Sequence, residues 1–128
     1  MAEDLKAPIR VYSFDVDETL EFSSGPVPWS AVRALRDSGH VVGLCGNWGH
    51  ITYTLGQLWV LREVNFIGPM SMPKAEFLSQ IRTYAPGFDD YVMVGNDHRI
   101  KGDSRDAEAA ELAGWRFIRE DDFAAGVR

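Results

Sequence analysis

In SFDVDETLEF, residues 13 to 22, an apolar run ends in two aspartates two positions apart, Asp15 and Asp17, followed by Glu18 and Thr19. Carboxylates crowded at one strand end repel each other unless a cation or a proton offsets their charge. A hard divalent cation does this most simply. Mg²⁺ takes one or two carboxylates, fills other positions with water and leaves room for a phosphate oxygen. Asp97, after a later apolar run, is placed to complete such a shell, and Lys74 to neutralise a phosphoryl group from another side. The chemistry these types favour is phosphoryl transfer, in which positioning and charge neutralisation supply most of the catalysis. An aspartate can itself attack phosphorus to form an aspartyl-phosphate.

Those side chains need a scaffold that brings distant segments to one edge. IRVYSF, from Ile9 to Phe14, has the β-branched and aromatic content of a buried strand. PVPWSAVRALRDSGH reads as a helix stopped near Gly39, and HVVGLCGNWGH as a second strand breaking at Gly46-Asn47. HITYTLGQLWVLREV predicts a buried helix and VNFIG a third strand. KAEFLSQIRTYA predicts a helix with Pro73 in its first turn, ending before Pro86-Gly87. DYVMVGND is a fourth strand, SRDAEAAELAG a helix closed by Gly114, and WRFIRE a fifth strand. This alternation predicts a parallel sheet with helices on both faces, whose ligands lie beyond the carboxyl ends of the strands. The polar clusters follow that rule: DVDET, CGNWG, MPK and GNDHRIKGDSRD each come after a strand.

Composition narrows the classes. A chain of 128 residues has room for one core, so a single domain over 1–128 is expected. The longest apolar run is far short of the roughly 20 residues of a membrane helix, and MAEDLKAPIR does not read as a secretory signal, so a cytoplasmic protein without a membrane partner is expected. The single cysteine, Cys45, excludes an internal disulfide or a multi-cysteine zinc site. A net charge of -6 argues against a broad grip on nucleic acid, although Arg99, Lys101 and Arg105 form a local basic cluster. His40 reads as structural, and Trp29, Trp59 and Trp115 as core. His50, His98 and Trp48 flank the candidate site without a pattern that assigns them a role.

Asp15-Val16-Asp17-Glu18-Thr19 resembles the Asp-x-Asp-x-Thr signature of the haloacid dehalogenase superfamily of phosphohydrolases, and VMVGND with DAEAAELAGW resembles that family's acidic fourth motif and alanine-rich helix. The likeness covers nearly the whole chain. It implies a doubly wound, three-layer α/β/α Rossmann-like domain with a five-stranded, mainly parallel sheet. It also implies a Mg²⁺-dependent phosphatase. Asp15 would be the nucleophile and a metal ligand, and Asp17 the general acid and base with its carbonyl on the metal. Thr19 would steady the loop, Lys74 would hold Asp15 and the phosphoryl group, and Asp97 would be the remaining metal ligand. The second motif usually ends in Ser or Thr. Here Cys45 takes that place, and a thiol is a weak donor, so the backbone N–H groups of Gly46 and Asn47 are expected to help bind phosphate. Glu18 stands where many members carry glycine. Either Asp103 or Asp106 fits as the second acid of the fourth motif.

Both intervals in which relatives insert a cap are only about thirty residues, the size of one crossover unit. A capless, open site is therefore expected, suited to a bulky phosphorylated substrate and compatible with a nucleic-acid end, unless a homo-oligomer supplies a lid. The rival expectations are a catalytically weak or inactive protein of this fold that binds a partner or phosphorylated ligand, and a phosphoacceptor receiver. The receiver requires an aspartate after the third strand, which VNFIGPMSM lacks.

Overall fold

The computed structural model describes residues 8–46, 58–69, 72–96 and 105–128. Strands β1 (Arg10–Phe14), β2 (Val41–Cys45), β3 (Phe66–Gly68), β4 (Asp90–Gly95) and β5 (Arg116–Arg119) form one sheet in the order β3-β2-β1-β4-β5. Every neighbouring pair is parallel. The fold is α/β and Rossmann-like in strand order. The chain builds outward from β1 to β3 and then returns to place β4 on the other side of β1, so strand order reverses at the β1/β4 boundary. In sheets of this kind that boundary opens a crevice beyond the strand ends.

Alternation along the strands sorts the core. Tyr12, Phe14, Val42, Leu44, Val92 and Val94 pack with Trp29, Val32 and Leu35 of α1 (Trp29–Asp37) and with Phe123. Val11, Cys45, Tyr91 and Met93, at the opposite parity, pack with Leu78 of α2 (Lys74–Tyr84) and Ala110 of α3 (Asp106–Ala113). Side chains two apart on a strand share a face, so Asp15, two beyond Ser13, belongs to the side of α2 and α3. Both helices begin with a residue of the site.

Local chemistry fixes where these elements start and stop. Pro28 at the α1 N-cap has no side-chain cap, and the Glu21 carboxylate instead accepts the Trp29 N–H at 2.9 Å. Pro73 stands at the N-cap of α2, one position before the helical turn in which it was expected. Gly114 closes α3 with φ 75°, a left-handed conformation open to glycine at little cost. The predicted helix at HITYTLGQLWVLREV falls partly outside the described residues; its described portion is a 3-10 helix, Leu58–Arg62. WRFIRE does not continue as strand to its end, because the chain turns at Arg119 into α4 (Glu120–Ala124), which seals the sheet with buried Phe123. Trp29 and Trp115 are buried, and Trp59 packs edge-on against Trp29. His40 has the structural role expected of it: its Nδ1 accepts the Arg10 N–H at 3.1 Å, and burial, helped by Arg10, lowers its pKa. Among the described residues no helix is long and apolar enough to cross a membrane.

Candidate active site

The β1/β4 crevice holds a buried polar network. Asp15 continues the line of β1, with its N–H donating to the Val94 carbonyl at 2.8 Å, and it is 5% exposed. Its Oδ1 accepts from Lys74 Nζ at 2.8 Å, and the same ammonium reaches Asp106 Oδ1 at 2.8 Å. Lysine in the first turn of a helix opposes the macrodipole. Here the carboxylates of Asp15 and Asp106 offset that disadvantage. Asp106 in the first turn of α3 is favoured by the dipole, yet it is fully buried. Its Oδ2 accepts the Asn96 N–H at 3.2 Å. A Cβ on Gly95 would lie 2.4 Å from that Oδ2, so no other residue fits there while Asp106 keeps this position.

Electrostatics bind the three charged groups into one unit. Burial is the largest influence on Asp15 and raises its carboxyl; Lys74 draws it down, Asp106 pushes it up, and the net position is about 7. For Lys74, burial works to lower the ammonium, but the carboxylates of Asp15 and Asp106 outweigh it and the net shift is upward. The ammonium is therefore firmly charged at neutral pH, whereas Asp15 is held short of full ionisation by desolvation beside a second acid.

The other oxygen of Asp15 faces Asn96. Asn96 Nδ2 donates to Asp15 Oδ2 at 3.0 Å, to the Asp17 carbonyl at 2.9 Å and to Thr19 Oγ1 at 3.3 Å, while Thr19 Oγ1 lies 3.4 Å from Asp15 Oδ2. Thr19 is buried and the Asp17 side chain is exposed. Glu18, between them, has φ 59°, in the left-handed region that favours glycine. The turn that presents the Asp17 carbonyl inward is thus made at some backbone cost.

Compared with family models, with curated proteins and with solved structures, the chain gives no match.

Of the residues expected at the site, the structure brings together Asp15, the Asp17 backbone, Thr19 and Lys74. It also links Asp106, one of the two acids expected in the stretch after β4, to Lys74. Asn47, Asp97 and Asp103 lie outside the described residues, as do Trp48, His50, His98, Arg99 and Lys101. Two expectations change. Cys45 is fully buried, and burial pushes its thiol up to about 12, so it packs as a small apolar group and offers no surface to a ligand. The Gly46 N–H donates to the Gly68 carbonyl at 2.6 Å, so this donor is committed to the fold and is not free for a phosphoryl oxygen.

Asn96 is the residue the sequence reading missed. It sits beside Asp97, and counting acids draws attention one position too far; the signal was that an amide directly after a core strand needs several partners if buried. Among the described residues, no three acidic, His or Cys side chains form a ready metal cluster. The oxygens that converge are of mixed kind: a carboxylate oxygen, a backbone carbonyl and a hydroxyl, all on one amide nitrogen. That set suits a hard cation, which accepts carboxylate and carbonyl oxygens alike. Asn96 Oδ1, buried and without a donor among the described residues, is a further oxygen of the same kind.

Proposed function

We propose that the chain is a capless phosphatase of haloacid dehalogenase type, a three-layer, doubly wound domain that hydrolyses a phosphomonoester through an aspartyl-phosphate on Asp15. The observation that carries this reading is the Lys74 ammonium held at 2.8 Å from both Asp15 and Asp106 at the point where strand order reverses. An ion pair serving the fold alone does not require two buried acids around one cation at a crevice.

In this reading an Asp15 carboxylate oxygen attacks phosphorus, and the bond to the leaving oxygen breaks as Asp17 donates its proton to it. Asp17, now ionised, takes a proton from water, whose oxygen attacks the same phosphorus and releases Asp15 and inorganic phosphate. The exposure of Asp17 suits a group that must meet both the leaving group and water. Lys74 holds Asp15 in place and offsets charge on the phosphoryl oxygens, and Thr19 steadies the second carboxylate oxygen. Mg²⁺, held by Asp15, the Asp17 carbonyl and Asn96 Oδ1, would supply charge neutralisation and keep Asp15 ionised. Asp97 remains part of the proposed ligand set. A capless site of this kind would favour bulky phosphorylated substrates.

The test is phosphate release from p-nitrophenyl phosphate, nucleotides, sugar phosphates, phosphopeptides and phosphorylated oligonucleotides, with Mg²⁺ or EDTA, in wild type and Asp15→Asn. Release that requires Mg²⁺ and vanishes in the variant supports the proposal. Cys45 and the Gly46 N–H favour a second reading, because both are occupied within the fold and leave fewer donors for a phosphoryl group. In that reading the chain binds a partner or a phosphorylated ligand without turnover, and Mg²⁺ binding without phosphate release from any compound of the panel selects it.

A further inference from the structure

Asn96 is 1% exposed, and its amide is asymmetrically satisfied. Three acceptors, Asp15 Oδ2, the Asp17 carbonyl and Thr19 Oγ1, lie within 3.3 Å of Nδ2, although a primary amide has only two N–H groups. The other end, Oδ1, is buried with no donor among the described residues. A buried acceptor without a donor is costly, so the arrangement stands because the alternative is worse. Turning the amide about its Cβ–Cγ bond would exchange the two ends and set Oδ1 against the Asp15 carboxylate and the Asp17 carbonyl. Without a positive charge among them these oxygens repel. With a divalent cation among them, the same oxygens form the hard ligand set such an ion takes.

From this we infer that Asn96 is a two-state amide: Nδ2 closes the site when no divalent cation is present, and the amide turns to offer Oδ1 when a cation enters. The inference rests on the cation of the proposed phosphatase site and deepens it. An aspartate at position 96 would have only the second state. Without metal it would place a third carboxylate beside Asp15 and Asp106, with Lys74 as the single ammonium that the described network offers them. Asparagine thus lets the site persist without metal, at the expense of affinity, because a neutral oxygen replaces a charged one among the ligands.

The chain contains three asparagines, Asn47, Asn65 and Asn96, so asparagine-selective ¹⁵N labelling gives a readable set of side-chain amide signals. The Asn96 pair is assigned by its loss in Asn96→Ala. Without metal, these protons should exchange slowly with solvent; on titration with Mg²⁺ alone they should shift and lose that protection. Asn96→Asp should bind Mg²⁺ about tenfold or more tightly, measured by calorimetry, and its unfolding midpoint should rise with Mg²⁺ more than that of wild type. Wild-type signals that stay unchanged at saturating Mg²⁺, an absence of Mg²⁺ binding, or an unaltered affinity in Asn96→Asp would overturn the inference. If Asn96→Asp does not fold, the wild-type titration still decides. The readout uses no substrate: an amide that turns in a chain without turnover sinks the phosphatase reading alone, and a static amide in an active, Mg²⁺-bound enzyme sinks this one alone.

Discussion

Asp15 and Glu63 are both carboxylates paired to a base from a neighbouring helix, and the protein moves them in opposite directions. Glu63 lies at the rim. Its Oε1 accepts the Trp29 Nε1–H and the Arg33 Nε–H, each at 2.9 Å, and Arg33 Nη2 reaches Oε2 at 3.1 Å. Burial works to raise its pKa, but the Trp29 and Arg33 donors outweigh burial and the net shift is downward. Asp15 has one lysine shared with a second buried acid, and its net shift is upward, to about 7. Glu63 has dedicated donors and is settled as a fixed charge that staples α1 to the segment before β3. Asp15 is held by partners with competing claims, the condition under which a carboxylate stays available for chemistry.

Substitution should separate the two roles. Asp15→Asn should lower turnover about 10⁴-fold or more, the scale of losing a nucleophile, while Glu63→Gln should leave kcat within about twofold of wild type and reduce stability by about 1 kcal/mol or less, as expected of a partly exposed pair. Phosphate-release kinetics and denaturant melts read both; equal effects of the two variants on kcat would erase the distinction.

Lys74→Met should destabilise the metal-free protein by about 3 kcal/mol, because it leaves Asp15 and Asp106 facing each other without a counter-charge. Urea titration measures it, and a loss as small as that of Glu63→Gln would mean that the buried acids have another source of compensation.

The opposite shifts also require opposite pH slopes. Because the folded pKa of Asp15 is raised, its contribution to stability is fully present below the ordinary 3.8 and is lost as pH rises through about 7. For Glu63 the folded pKa is depressed, so its contribution is present above the ordinary 4.5 and is lost as pH falls through the lower folded value. In EDTA, Asp15→Asn should therefore gain on wild type as pH rises from about 4 to about 7, and Glu63→Gln should approach wild type at the acid end. Parallel stability curves for all three proteins would contradict these assignments.

The smallest expected effect concerns Cys45. With its thiol buried and pushed up to about 12, alkylation of the folded protein should be slow and should reach completion only on unfolding. Rapid labelling under native conditions would return Cys45 to the candidate ligand-contacting residues.

Legibility in the sequence followed the range of the interactions involved. Strands β1, β2 and β4 stand out because each is a mainly apolar run followed by polar residues, and Asp15, Asp17 and Thr19 share one local motif. Lys74 is legible as a residue but not as a bridge, since its two partners are 59 and 32 positions away. The position of Asp106 needed the same contact, because spacing along the chain does not say that this acid faces α2. Asn96 was passed over because an amide carries no charge to attract notice, and its importance comes from three oxygens contributed by the segment directly after β1. Helix α4 was missed because Glu120, acidic yet buried, reads as the polar end of a strand.

The central claim is that Asp15 carries the phosphoryl group. Incubation with a turned-over substrate and Mg²⁺, acid quench and borohydride reduction convert an aspartyl-phosphate to homoserine, which peptide mass spectrometry locates. The account predicts homoserine at position 15, dependent on substrate and Mg²⁺ and absent in Asp15→Asn. Phosphate release at full rate with Asp15 never modified, or with the modification at Asp17 instead, would contradict it.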